Sequence, residues 1–376
     1  MRLRVHVAVI AVASAIIAGC VADRVAEAQL GDSCELRDAY KIKPWNGTYI
    51  RCQIVPGTSL HADGEANDAR FVWTETTKEQ YSLAQASDDK VRVDGSSTVA
   101  PLAIVAAKFF EAASRSVNGN HAVKVSVGTS GTGGGFEKFC HGETDISNAS
   151  RAIKDGEREE CAKNGIVFTE IQIANDGLAV VVNRDNTWAK CLTMEELGKI
   201  WGPDSTITKW SDVRRGFPDV PLQLYGAGTD SGTFDAFSSF VNGKSGIIRK
   251  VGVETSEDDN VTVLGVESES GAMGYFGLSY AVENADKVRA IELDGGDGCV
   301  SPTERNVQTY AYPMARPLYI YAKNSSLRDR VGVAAFVKFF VDNMTQINKD
   351  ALFVPLEDNQ VRQVQTTVAG IVDTTL

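Results

Sequence analysis

The chain has 376 residues, room for two or three domains of ordinary size. Hydrophobic residues make up 43% and charged residues 23%, the balance of a globular protein with ample material for a core. A formal net charge of −11 and the lack of any basic run exclude a nucleic-acid surface, although an acidic protein still holds an anion where local dipoles do the binding.

At the N-terminus, Arg2 and Arg4 precede an apolar run over 7–18. That run is too short to span a bilayer and fits the core of a signal peptide. It ends in Ile17-Ala-Gly-Cys20, which resembles a bacterial lipobox, where the cysteine is acylated and becomes the first mature residue. Residues 1–19 are therefore predicted to be a lipoprotein signal peptide and 20–30 a polar tether from the membrane. Removing 1–19 leaves 36 basic and 49 acidic residues, a net charge of −13. Six cysteines remain besides Cys20, an even number that in an exported chain implies structural disulfides. Counting leaves their connectivity open; the expectation is local pairing of Cys34 with Cys52, Cys140 with Cys161, and Cys191 with Cys299. No metal centre or cofactor is expected, because no two cysteines stand two to four residues apart and the four histidines, at 6, 61, 121 and 141, are scattered.

Residues 31–90 mix aromatic positions such as Trp45, Phe71 and Trp73 with loop-like stretches, and are predicted to form a small disulfide-linked appendage. From 91 onward strands and helices alternate, which argues for α/β layers with mostly parallel pairing. Val91-Arg-Val-Asp-Gly95 is predicted as a strand leading through Ser96, Ser97 and Thr98 to a helix. Pro101 sits in its first turn, where the missing N–H has no partner to lose. Leu102, Val105, Ala106, Phe109, Phe110 and Ala113 give that helix one apolar face. Val123-Lys-Val-Ser-Val127 leads into Gly128-Thr-Ser-Gly-Thr-Gly-Gly-Gly135 and a second helix carrying Phe136, Phe139 and Cys140. A short strand, Asp145-Ile-Ser-Asn-Ala-Ser-Arg151, ends in polar residues, and a charged helix follows over 155–163. Two apolar strands, 166–173 and 178–182, are predicted on either side of a turn at Ala174-Asn-Asp-Gly177, a natural place for the chain to change lobes.

The stretch Leu222-Gln-Leu-Tyr225 followed by Gly226-Ala-Gly-Thr-Asp-Ser-Gly-Thr-Phe234 repeats the strand, small-residue turn, helix design. Phe234, Phe237 and Val241 fall on one helical face, and Ser231, Gly232 and Thr233 stand at its start. Hydroxyls there cap free backbone N–H groups, and the helix dipole favours an anion. One such turn is ordinary capping; three after three strands predict one converging anion pocket. Gly271-Ala-Met-Gly-Tyr-Phe-Gly277 is predicted as the return crossing, Pro317-Leu-Tyr-Ile-Tyr-Ala322 as a strand, and 331–341 as an apolar-faced helix.

Several of these segments, in this order, resemble the phosphate-binding protein of bacterial Pst-type ABC phosphate importers, in its branch with an Asp-Gly-Ser-Ser-Thr start. The matching residues are Asp94-Gly-Ser-Ser-Thr-Val99, Gly133-Gly-Gly-Phe136, Asp145-Ile-Ser-Asn-Ala-Ser-Arg151, Asn175-Asp-Gly-Leu-Ala-Val180, Asp230-Ser-Gly-Thr-Phe234, Gly274-Tyr-Phe-Gly277 and Arg316-Pro-Leu-Tyr319, covering roughly 91–360. The resemblance implies a two-lobed type II periplasmic-binding-protein fold with a hinged cleft. The small N-terminal appendage lies outside it. Lobe one would comprise 91–175 and 273–376, and lobe two 176–272. It implies a dehydrated inorganic phosphate held by Ser97, Thr98, Ser130, Thr132, Ser150 and Arg151 from one side and Ser231, Gly232 and Thr233 from the other. The partners it implies are the transmembrane subunits of an ABC permease, with the membrane reached through the lipid at Cys20 and no nucleic acid involved.

One departure bears on selectivity. In the better-known branch an aspartate after the Ala-Ser pair accepts the phosphate's own proton and so rejects sulfate; here Arg151 stands in that place. That branch also has an arginine where this chain has Ala227, so the cation is displaced between lobes. Asp94 and Asp230 are the candidates for the proton acceptor, and Arg316 is expected to be structural. The competing functions are a binder of sulfate or molybdate, a phosphate-ester hydrolase, or an adhesin with a disused cleft. Hydrolysis lacks support: neither a Gly-x-Ser-x-Gly nor a P-loop pattern is present, and no motif ties His121 or His141 to a serine.

Overall fold

The computed structural model describes residues 42–45, 48–54, 71–76, 90–118, 123–229 and 231–372. The predicted signal peptide, lipidated Cys20, tether, Cys34 and Asp230 lie outside the described residues. Within the predicted appendage, strands Ile42–Trp45, Thr48–Ile54 and Phe71–Thr76 form their own antiparallel sheet.

The main sheet has nine strands and two halves joined by one long strand, Phe168–Asn183. In the first half, Lys90–Gly95 lies between Lys124–Val127 and Ile146–Ala149 and is parallel to both. In the second, Gln223–Ala227 lies between Val253–Ser256 and Ala272–Gly277, again parallel to both. Parallel neighbours need crossovers, supplied here by helices such as Ala100–Asn118, Gly131–Cys140, Gly232–Asn242 and Asp259–Ser268. Each central strand has successors on both sides, so each half has a switch point where a crevice opens beyond the strand's carboxyl end.

Pairing is mixed rather than mostly parallel as expected. Ala315–Lys323 runs antiparallel to both Phe168–Asn183 and Ile146–Ala149, and Ala272–Gly277 and Val288–Ala290 run antiparallel to the long strand. The turn expected at Ala174-Asn-Asp-Gly177 is also absent, because the strand runs straight through. Its polar residues are paired inside the protein. Asn175 N–H donates to the Val354 carbonyl at 2.8 Å, and the Asp176 carboxylate is held by Arg316 at 3.0 Å. Paired polar groups tolerate burial, so the polar run does not require a surface turn.

Two apolar cores accompany the halves. One is built from residues of 91–174 and 318–372, with Phe110 set against Phe336 and Phe339. The other draws on 178–315 and Val354, centred on Trp201, Phe237 and Tyr275. The Phe237 and Tyr275 rings stack at 3.6 Å. Disulfides join Cys140 to Cys161 and Cys191 to Cys299, as expected. Cys34 is not described, so its pairing with Cys52 is not tested by the fold. No helix among the described residues is long and apolar enough to cross a membrane.

Candidate functional site

The two switch points meet. The loop after Lys90–Gly95 carries Ser97 and Thr98, and the loop after Gln223–Ala227 carries Ser231, which caps the helix Gly232–Asn242 by accepting from Thr233 N–H at 3.1 Å. Thr98 Oγ1 donates to the Gly232 carbonyl at 3.1 Å. A Cβ on Gly232 would lie 2.6 Å from both Thr98 Cα and Thr98 N, closer than side-chain carbons are found, so glycine is what lets the loops touch. Ser97 Oγ donates to Asp235 Oδ2 at 3.1 Å, a second link across the same seam.

Two cavities flank this contact. The larger, about 800 Å³, is bordered by Ser97, Thr98, Thr132, Ser150 and Arg151 on one side and by Asp235, Lys244 and Ser245 on the other. The smaller, about 220 Å³, is bordered by Ser97, Thr98, Ser231, Gly232 and Thr233. Ser97 and Thr98 therefore face both. Thr132 Oγ1 lies 3.1 Å from Ser150 Oγ and accepts from Ser150 N–H at 3.2 Å, which fixes the second and third loops against each other.

Ser130 is placed differently from the other expected ligands. Its N–H and hydroxyl both donate to Asp94 Oδ1, at 2.9 and 2.8 Å, and it borders neither cavity. Lys138 donates to the other oxygen of Asp94. Burial alone would raise the Asp94 pKa; the Lys138 ammonium and the two Ser130 donors outweigh it and hold the carboxyl below its ordinary range. Asp94 thus braces the glycine-rich loop from behind. Asp145 is likewise structural, accepting from Arg92 N–H, Ser326 and Arg330.

Two guanidinium groups stand over the larger cavity. Arg151 makes a fork to Glu157, at 2.8 and 2.7 Å, with its guanidinium carbon 5.6 Å from the Phe136 ring centroid. Burial pushes Glu157 up, but the Arg151 bonds and the Lys154 N–H prevail and keep it an anion, ready to hold Arg151 in place. The second is Arg316, which the sequence suggested was merely structural. It donates to Asp176 at 3.0 Å and to Thr98 Oγ1 at 3.1 Å, and it borders the cavity. Arg316 does serve the framework, through Asp176, but it also reaches the first helix start. Its only sequence signal was the Arg-Pro-Leu-Tyr match; Asp235 and Lys244 had none.

Chemically, the cleft offers hydroxyls, helix-start amides and two arginines to an anion. Among the described residues no cluster of three or more metal-ligating side chains is present. His141 Nδ1 lies 2.8 Å from the Glu137 carbonyl, four residues back on its own helix, and His121 is not among the described residues.

Comparison with known proteins places these features in context. A family model described as a PBP superfamily domain matches residues 77–343. Protein SphX of Synechococcus elongatus is 41% identical over 282 residues, covering 73% of this chain and 81% of that protein. The phosphate-binding protein PstS of Staphylococcus saprophyticus is 36% identical over 286 residues, covering 76% of this chain and 86% of that one. The crystal structure of a possible phosphate binding protein from Planctomyces limnophilus matches with a TM-score of 0.70 and 41% identity, over 75% of this chain and 98% of that one.

Proposed function

The chain belongs to the PBP superfamily, which it shares with its SphX and PstS relatives, and on that premise we propose that it is an extracytoplasmic solute-binding protein that captures inorganic phosphate and delivers it to an ABC permease. The observation that carries this reading is the meeting of Thr98 and Gly232, which sets two helix starts edge to edge between a cavity bordered by Arg151 and Arg316 and a smaller one bordered by Ser231, Gly232 and Thr233.

Phosphate carries four oxygens and about two charges near neutral pH, judging from phosphate esters with a second pKa of roughly 6. Hydroxyls and helix-start amides supply its many hydrogen bonds, and an arginine fork adds a directional, charge-assisted pair. The ligand set is Ser97, Thr98, Thr132, Ser150, Arg151, Ser231, Gly232 and Thr233. Ser130 contributes through Asp94 and the loop's shape rather than by its hydroxyl. Residues 91–174 with 318–372 act as one lobe and 178–315 as the other, closing to exclude water and strengthen each bond. The return comes later than the expected 273 because 273–315 packs into the core around Trp201. Acylated Cys20 tethers the protein to the membrane.

The protein performs no covalent chemistry on its ligand. A serine nucleophile needs a base, and His141 is engaged with its own helix. Isothermal titration of phosphate-stripped protein tests the assignment. A 1:1 complex with inorganic phosphate is expected. Binding of sulfate or molybdate with no response to phosphate would overturn the ligand, and steady release of phosphate from an organic ester would favour a hydrolase.

A further inference from the structure

Beneath Arg151 lies a third apolar cluster, smaller than the two cores and centred on Phe136, Phe139, Cys140, Cys161 and Tyr321. The Phe136 and Tyr321 rings meet edge to face at 4.8 Å. Through this cluster the Cys140–Cys161 bridge joins the last residue of the helix Gly131–Cys140 to the helix Asp155–Lys163. The first helix carries Thr132 in its opening turn and Phe136 under the Arg151 guanidinium. The second carries Glu157, whose carboxylate forks onto Arg151.

Little besides the bridge anchors that second helix. Its sequence, Asp155-Gly-Glu-Arg-Glu-Glu-Cys-Ala-Lys163, offers no apolar face, and of its nine residues only Cys161 is buried. Helices shorter than about 12 residues are marginal in water on their own, and one that is polar all round gains little from packing. Arg158 reaches Glu170 at 4.0 Å and lies over the Phe168 ring at 5.4 Å, and His141 stands 3.5 Å from Glu160. Exposed pairs of this kind contribute little. Glu157 precedes Cys161 by four residues, one helical turn along the same face, and Cys140 Sγ lies 3.4 Å from the Glu157 carbonyl oxygen. The bridge therefore grips the helix at the turn that presents the Glu157 carboxylate.

Resting on the phosphate assignment above, we propose that the Cys140–Cys161 bridge positions Arg151 for the ligand, so that the cleft's grip on its anion is completed by disulfide formation. Cys140 and Cys161 touch no ligand. They fix the helix, the helix fixes Glu157, and Glu157 holds the guanidinium at the cavity wall before an anion arrives. A side chain ordered in advance adds its full attraction on binding, whereas a loose one loses part of it to the entropy of being ordered. With the bridge absent, the helix is free to shift and Arg151 has to be ordered by the ligand itself. Disulfides persist outside the reducing cytosol, so the same chain holds its anion more weakly before export than after.

Phosphate titrations of stripped wild-type, Cys140→Ala/Cys161→Ala and Cys191→Ala/Cys299→Ala proteins, each with and without Arg151→Ala, test this beside thermal melts. Loss of the shorter bridge is expected to weaken phosphate binding by about tenfold where Arg151 is present, and to change it little in the Arg151→Ala background, because residues acting through one another are not additive. Cys191 and Cys299 border neither cavity, so loss of their bridge should lower the melting temperature and leave affinity as it is. Cys140→Ala/Cys161→Val refills part of the space and serves as a second variant if the alanine protein folds poorly. An equal loss with and without Arg151, or an equal loss on removing the longer bridge, marks the shorter one as general support and overturns the proposal. A folded bridge variant with wild-type affinity does the same. Wild-type protein that gives no response to phosphate overturns the ligand assignment itself, a result visible before any variant is made.

Discussion

Thr98 Oγ1 donates to the Gly232 carbonyl at 3.1 Å and accepts from Arg316 Nη2 at the same distance, so one hydroxyl joins two helix starts separated by 134 positions in the chain. The contact is dense. Any side chain at 232 would push against the Thr98 backbone, which has no rotamer through which to yield.

Gly232→Ala is therefore expected to hold the two starts apart and to reduce phosphate affinity by about tenfold or more, since only the fraction of molecules that can close binds tightly. Ser231→Ala, which removes the cap on Thr233 N–H together with a proposed phosphate ligand, is expected to cost about 1 kcal/mol of stability besides some affinity, whereas Gly232→Ala should act on affinity first. Titration beside thermal melts separates the two effects. Wild-type affinity in Gly232→Ala would mean that the starts need not touch for binding.

The disulfides differ in the length of chain they close, 108 residues for Cys191–Cys299 and 21 for Cys140–Cys161. In the chain-entropy account, opening the longer loop costs about 5 kcal/mol and the shorter about 3 kcal/mol. The Cys191→Ala/Cys299→Ala protein should thus lose more stability in denaturant titration than Cys140→Ala/Cys161→Ala. Cys140 and Cys161 are also buried, and their loss removes some packing. If the shorter bridge nevertheless proves the more important, packing rather than loop closure governs both.

Local pattern carried much of this architecture. The strand-turn-helix units at 91–118 and 222–242 were legible because apolar periodicity changes from strand to helix across a run of serine, threonine and glycine, and the same units position Ser97, Thr98, Ser231 and Thr233. The pattern misled at Asn175 and Asp176, where residues typical of turns sit mid-strand because Val354 and Arg316 satisfy them. Arg316 itself comes from 140 residues away to meet Asp176, and Asp235 meets Ser97 across 138. Such partners leave no local trace: an arginine before a proline or an aspartate in a helix's first turn has the same sequence signature whether it faces solvent or a cleft.

Asp94 gives the protein an acid-sensitive brace. Its folded-state pKa is depressed below the ordinary value of 3.8, so the stability it contributes is fully present above that value and is lost as pH falls through the folded-state value. Asp94→Asn should lower the melting temperature near neutral pH and flatten the acid limb of the stability curve below about pH 4. Melts across pH 3 to 7 check this. Curves that run parallel throughout the range would show that Asp94 contributes nothing pH-dependent.

Arg151 and Arg316 both border the cleft, and their different partners predict different consequences of losing them. Arg151 pairs with Glu157 at a site where water still reaches both side chains, at 32% and 21% exposure, so Glu157 left alone is partly solvated. Arg151→Ala is expected to weaken phosphate binding by about 2–5 kcal/mol with little change in melting temperature. Asp176 is only 5% exposed, and Arg316→Ala strands its charge inside the strand that joins the two halves. That substitution should cost about 3 kcal/mol or more of stability in addition to affinity. Arg316→Lys restores a charge near Asp176, but a single ammonium lacks the planar fork that serves Asp176 and Thr98 at once. It should recover stability more fully than binding. Equal recovery of both would assign Arg316 to the framework alone and leave Arg151 as the guanidinium that meets the ligand.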